Sequence, residues 1–223
     1  LGANLLNFKE LETGCGLINL EKGRVSLGLF KNLALVHSIT LPLGADHISK
    51  DISKVCSLSV EEAKKIRNKI NFSFQNQDDL FDENNFLKDI YFETSNYRKI
   101  SKELILNVAK SRLDEIFEML KKQMIVPDFS INSVNNFLLL EEDDLSLNNL
   151  DKYLVNNFNS RIIKKNQSNL GNSNSQLNNF SASLGALKII KDGWETEAIP
   201  ELNDKNLRKI SFLGNLFEKI WKS

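Results

Sequence analysis

Three features of the sequence predict a mixed α/β fold: an early run of short alternating strands, a long amphipathic helix in the middle, and a further strand candidate after that helix. A chain of 223 residues can bury a sizeable core. Its 41% hydrophobic and 26% charged content is that of an ordinary globular protein.

Cys15–Asn19 reads as a short buried strand. In Arg24–Phe30 the apolar residues Val25, Leu27 and Leu29 recur at the period of two that half-buries a strand. Lys31-Asn32-Leu33 supplies a turn, and Ala34–Leu41 reads as a third strand, so the three form a meander. Over Asp46–Val55, Ile48, Ile52 and Val55 share one side of a helix. Ser59-Val60-Glu61-Glu62 has capping-box spacing, in which the hydroxyl accepts from the Glu62 amide while the carboxylate reaches back. Ala63, Ile66 and Ile70 then give the stripe of a second short helix.

Residues 71–100, rich in Asn and Asp, read as loops with short strands. The longest helix is expected over Ser101–Met124, with Leu104, Val108, Ile116, Leu120 and Met124 on one face. Ile105, Leu113 and Phe117 lie beside that face, Lys102, Lys110, Lys121 and Lys122 point to water, and Pro127 blocks continuation. A strand is expected over Val134–Leu140, a helix over Leu147–Phe158 and a brief strand at Arg161–Ile163. Residues 166–179 are too polar to pack and read as a flexible loop. A small-residue helix over 180–191, a linker over 192–207 and a final amphipathic helix over 208–223 complete the chain.

Composition excludes several functions. Lys plus Arg and Asp plus Glu both number 29, so no overall basic field attracts nucleic acid. Cys15 and Cys56 lack CxxC spacing and read as buried thiols in a reducing compartment. With only His37 and His47 beside them, no metal site is expected. His47, near a helix start, reads as structural, and Glu141-Glu142-Asp143-Asp144 as a solvated acidic turn without the spacing of a calcium loop. No apolar run approaches the roughly 20 residues that cross a bilayer, and no signal peptide is visible. The first residue is Leu1 rather than Met, as in a fragment.

His37-Ser38 followed by Pro42-Leu43-Gly44-Ala45-Asp46-His47-Ile48-Ser49-Lys50-Asp51-Ile52 resembles a segment of FtsA, the actin-like cell-division family. In that family a strand ends in His-Ser, a Pro-x-Gly-Gly turn follows, and a helix opens with His-x-Thr-x-Asp-Ile. Glu62-Ala63-Lys64-Lys65-Ile66, Ser111-Arg112-Leu113-Asp114-Glu115-Ile116-Phe117-Glu118 and Phe180-Ser181-Ala182-Ser183-Leu184-Gly185 are similar to later segments of the family, in the same order. The resemblance implies an actin-like (ribonuclease H-like) ATPase fold of the 2A/2B half. Residues 1–45 and 123–165 would form subdomain 2A, and 46–122 subdomain 2B. The 180–191 helix would pack on an absent 1A domain, leaving Phe180, Leu184 and Leu187 uncovered.

The family binds ATP and Mg²⁺ through a second phosphate loop reading Asp-x-Gly-Gly-Gly-Thr-Thr-Ser. The matching stretch is Asn19-Leu20-Glu21-Lys22-Gly23-Arg24-Val25-Ser26, where Gly23 and Ser26 survive. Asn19 lacks the metal-directed charge, and Glu21 places a carboxylate where phosphate would approach. Repulsion of about 4 kcal/mol between unit charges at 4 Å near a surface opposes binding. The family's adenosine-side Leu-Thr-Gly-Gly turn corresponds to Leu139-Leu140-Glu141-Glu142, where two Glu replace two Gly. The first phosphate loop would precede Leu1. These departures imply no nucleotide cofactor and no enzymatic activity.

The resemblance also implies partners. In the family, subdomain 2B receives the acidic C-terminal tail of FtsZ, for which Lys102, Lys110, Arg112, Lys121 and Lys122 are the candidate contacts. Phe212, Leu213, Leu216, Phe217, Ile220 and Trp221 form the apolar side of the last helix, with Lys205, Arg208, Lys209, Lys219 and Lys222 around it. That composition suits an anionic membrane surface. Adaptor work is therefore expected at the division site, on the inner face of the cytoplasmic membrane, with self-association and contacts to other divisome proteins. Two alternatives stay open: part of an actin-family ATPase whose first phosphate loop lies upstream, and a membrane scaffold of the pilus-assembly type.

Overall fold

A computed structural model describes residues 5–124, 134, 136–142, 145, 147–166, 183 and 185–187. The chain divides into units 1–193 and 194–223, and the described residues belong to the first. The expected loop over 166–179 (beyond Asn166), linker over 192–207 and helix over 208–223 lie outside the described residues. So do Phe212, Leu213, Leu216, Phe217, Ile220 and Trp221, together with Phe180, Leu184, Asp143 and Asp144.

The sheet is built from β1 (Cys15–Leu20), β2 (Val25–Lys31), β3 (Ala34–Leu41), β4 (Asn136–Glu141) and β5 (Arg161–Asn166). Its order is β3-β2-β1-β4-β5. β1 pairs antiparallel with β2, as does β2 with β3, whereas β1–β4 and β4–β5 are parallel. Tight turns suffice for the meander, but the parallel pairs need crossovers. The chain therefore leaves the sheet between β3 and β4, and again between β4 and β5, to form helices.

Those helices are α2 (Ala45–Cys56), α3 (Val60–Lys69), α4 (Lys102–Lys122) and α5 (Leu150–Phe158), preceded by α1 (Phe8–Thr13) before the sheet. β1 is buried along its whole length, as suits a strand paired on both sides. Ile18, Leu20, Leu27 and Leu139 from the strands join Ile48, Ile52, Ile66, Leu113 and Phe117 from the helices in one apolar core. Gly16 lies opposite Phe137, and a Cβ there would come within 2.2 Å of the ring, so only glycine lets that ring lie over β1.

The stripe on α4 is rotated from the expected one. Ile105, Ala109, Leu113, Ile116, Phe117 and Leu120 are buried, whereas Leu104 is 41% exposed. The small Ala109 is part of the buried seam, which apolar size alone does not reveal. On α2, Ala45, Ile48, Ser49, Ile52 and Cys56 are buried, and Val55 is 52% exposed. Both helices use i, i+4 spacing on the face toward their neighbours, and Val55 falls off it.

Several bounds also differ. α5 starts at Leu150 because Asn149 adopts a left-handed φ of 59°. β5 extends through Asn166, and residues 71–100 hold isolated bridges and a short 3₁₀ turn (Asp89–Tyr91) rather than strands. α1 had a sequence signal of its own: Asn7 Oδ1 accepts from the Glu10 amide at 2.9 Å, and Glu10 Oε2 from the Asn7 amide at 2.9 Å. Residues 183 and 185–187 are helical, with Gly185 buried and Leu187 exposed. Among the described residues no helix is long and apolar enough to cross a membrane.

Candidate functional site

In open α/β sheets ligands bind beyond the carboxyl ends of parallel strands, where the connections diverge. Here β1 and β4 end side by side, with Asn19 opposite Leu140 and Leu20 opposite Glu141. β1 then turns back into β2 through Glu21-Lys22-Gly23-Arg24, while β4 continues into Glu142. The Glu142 amide donates to the Leu20 carbonyl at 3.1 Å, carrying the pairing one step past the strands.

Charged side chains fill this end of the sheet. The Asn19 side chain donates through Nδ2 to Glu21 Oε1 at 2.8 Å. Arg24 also binds Glu21, through Nε and through Nη2 at 3.2 Å. The Lys22 amide donates to Glu142 Oε2 at 2.9 Å, with the Lys22 ammonium 3.7 Å from Oε1. Glu141 is buried and paired with Lys164 at 2.9 Å. Burial pushes its carboxyl above the usual range, and Lys164 and the Leu147 amide only partly offset that. Two buried oxygens, Asn19 Oδ1 and Glu141 Oε1, have no hydrogen-bond partner among the described residues.

The turn is also tied to α2. Ala45 and Asp46 amides donate to the Glu21 and Lys22 carbonyls at 3.0 and 2.8 Å. A Cβ on Gly44 would lie 2.4 Å from the Glu21 carbonyl oxygen, so this approach requires glycine. Asp46 in turn pairs with Arg67 of α3 at 2.9 Å, and the Arg67 side chain is only 3% exposed. His47 stays local: its Nδ1 accepts from the Gly44 amide at 3.1 Å, consistent with a structural role.

The residues singled out from sequence fall into distinct places. Asn19, Glu141 and Glu142 gather at the strand ends with Glu21. Ser26 Oγ is 3.0 Å from Thr40 Oγ1 on the neighbouring strand. Gly23 has open space where a Cβ would stand. Glu141 corrects the expectation of a wholly solvated acidic turn, because β4 continues through it and carries it into the core. Sequence reading missed Lys22, Arg24, Lys164 and Arg67; a cation and an anion at the ends of neighbouring parallel strands would have signalled Lys164. Among the described residues no group of three or more His, Cys, Asp or Glu could hold a metal ion. Cys15 and Cys56 are buried, and burial, with Glu10 adding to it, pushes the Cys15 thiol up to about 12.

The five basic candidates on α4 do not form one patch. A 21-residue helix is about 30 Å long, so its ends are far apart. Lys102 and Lys110 line a cleft of about 560 Å³ with Phe74, Phe86 and Leu106. Arg112 is engaged by Asp51 and Glu115, and sits in a separate groove between α2 and α4 beside Val55 and Val108. Lys121 lies 5.3 Å from the Phe158 ring centroid, and Lys122 is exposed.

No protein-family profile matches the chain. Cell division protein FtsA of Bacillus subtilis is 24% identical over 123 residues, which are 55% of this chain and 27% of that protein. FtsA of Agrobacterium fabrum is 22% identical over 121 residues, 54% of this chain and 27% of that protein. The chain thus spans about a quarter of the length of the curated relatives it matches. Among solved structures, MreB5 of Spiroplasma citri bound to AMPPNP superposes with a TM-score of 0.57 at 20% identity, over 86% of this chain and 58% of that one. A non-polymerising MamK mutant bound to AMPPNP gives 0.51 at 10% identity, over 85% and 57%. The sheet order, the helical insertion and these comparisons together make the chain an actin-like-fold protein with sequence similarity to the cell division protein FtsA.

Proposed function

We propose that the chain is a cell-division adaptor that holds FtsZ filaments at the inner face of the cytoplasmic membrane, without turning over ATP. The observation that carries this reading is the sequence similarity to FtsA over 123 residues. Residues 46–122 would act as the 2B-type subdomain. The cleft lined by Lys102, Lys110, Phe74, Phe86 and Leu106, with Glu103 the one carboxylate among its lining residues, suits an acidic peptide with apolar side chains. Arg112, already held by Asp51 and Glu115, is the poorest of the basic candidates for that task.

The other half of the adaptor is the 208–223 segment. Phe212, Leu213, Leu216, Phe217, Ile220 and Trp221 would enter the lipid interface, each contributing about 1.5–3 kcal/mol if fully transferred, with lysines on anionic headgroups. The absence of ATP turnover is supported by Asn19 in place of the metal-directed Asp, and by Glu21, Glu141 and Glu142 where glycines would admit a nucleotide.

Binding of a labelled FtsZ-tail peptide tests the first half. Lys102→Glu with Lys110→Glu should weaken it about tenfold or more, while Lys121→Glu with Lys122→Glu should matter less. Equal affinity in both double variants and the parent would refute this placement. A second reading, part of an actin-fold ATPase completed by another half, is favoured by the similarity to MreB5 bound to AMPPNP. ATP hydrolysis by the unmodified chain would select it.

A further inference from the structure

We infer that Glu142 is a built-in carboxylate plug that occupies the backbone donor of the β1–β2 turn in place of a nucleotide phosphate. The inference rests on reading that turn as the counterpart of the family's second phosphate loop. Loops of this kind hold phosphate with main-chain N–H groups, and a carboxylate competes for the same donors. At Lys22 the competition is already settled within the chain. Its amide donates to Glu142 Oε2 at 2.9 Å, and its ammonium lies 3.7 Å from the other carboxylate oxygen.

Three features keep the plug in place. Glu142 is positioned by its own amide, which donates to the Leu20 carbonyl at 3.1 Å, so its backbone is fixed to the strand that leads into the turn. The turn cannot easily withdraw, because the Glu21 and Lys22 carbonyls accept from Ala45 and Asp46 at the start of α2. Glu21, the other carboxylate of the turn, is held by Asn19 and Arg24. An incoming phosphate would have to displace Glu142 from Lys22 and would meet Glu21 beside it. The device fills the anion position at the sheet end with the chain's own carboxylate, which is 40% exposed there.

The test compares the full chain with Glu142→Gln and Glu142→Ala, using inorganic pyrophosphate and MgATP as probes in calorimetric titration, together with hydrogen exchange at the Lys22 amide. Because the Lys22–Glu142 pair is about 40% exposed, removing the carboxylate should raise pyrophosphate affinity roughly fivefold in Glu142→Ala, the equivalent of about 1 kcal/mol. Glu142→Gln should fall between that variant and the parent. Adding Lys22→Ala, which keeps the backbone N–H and removes only the ammonium, should leave most of the gain, and the Lys22 amide should exchange faster in Glu142→Ala. Equal, weak binding by all three chains overturns the plug while leaving the adaptor reading intact. Tight MgATP binding by the unmodified chain overturns the plug, and hydrolysis of that ATP overturns the reading without ATP turnover as well. If Glu142→Ala does not fold, the glutamine variant alone decides: unchanged pyrophosphate affinity and unchanged Lys22 exchange count against the plug.

Discussion

Two buried glutamates mark the contrast between the helical insertion and the turn end of the sheet. Glu62, at the third position of α3, closes a capping box with Ser59 and also accepts from the Glu93, Thr94 and Ser95 amides and the Ser95 hydroxyl. Burial opposes its charge, but the bonds from Ser95, Thr94 and Ser59 outweigh it and hold the carboxyl well below the usual range. Glu141 is buried to a similar degree but has, among the described residues, one lysine partner, one long bond from the Leu147 amide at 3.5 Å, and an oxygen with no partner. The insertion uses its buried charge as a rivet. The sheet end carries a charge that the described residues only partly satisfy.

Glu62→Gln should produce the largest effect, a loss of about 3 kcal/mol in denaturant unfolding, because several donors lose a charged acceptor at once. A depressed carboxyl contributes its stability fully above the unfolded-state value near 4.3. That contribution fades as pH falls through the lower folded-state value, so the gap to the parent should be wide at neutral pH and close only in acid. Equal stability of the two chains at neutral pH would break the comparison.

Arg67→Met comes next, at about 2 kcal/mol, since it leaves Asp46 without its buried partner and loosens the link between α3 and the start of α2. The same unfolding measurement checks it. Glu141→Gln should act in the opposite direction and stabilise the chain by about 1 kcal/mol at neutral pH. Because its folded-state carboxyl is raised, the native state holds the proton more tightly than the unfolded chain. The gain should therefore shrink as pH falls through the carboxylate range. A loss instead of a gain would place Glu141 with Glu62 as a structural anchor. Arg112→Met should be smallest, about 0.5 kcal/mol, because its pairs with Asp51 and Glu115 are partly exposed.

The sequence made the local elements legible. The alternation of Val25, Leu27 and Leu29 marked β2, and Ser59 with Glu62 marked the start of α3, because both signals lie within a few residues. The family pattern pointed to two separate motifs, Asn19 with Gly23 and Ser26, and Glu141 with Glu142; the sheet brings Asn19, Glu141 and Glu142 to the same strand ends, while Ser26 faces Thr40. What the sequence hid is long-range. Arg67 finds Asp46 across 21 positions, and Glu142 reaches the Lys22 amide across 120. Leu104 and Val55 were expected inside because they are apolar and near the stripe, yet a helix buries a face chosen by its neighbours. Phe74, Phe86 and Leu106 come together with Lys102 and Lys110 only once the loop before α4 folds back on it.

In the proposed function one chain would join an acidic peptide to a lipid surface with no need for nucleotide. Sedimentation of anionic vesicles with the full chain and a fluorescent FtsZ-tail peptide measures this directly. The chain should carry the peptide into the pellet equally well with and without MgATP, and should lose that ability when Phe217 and Trp221 are made polar. A peptide that stays in the supernatant, or that pellets only when MgATP is present, would contradict the claim.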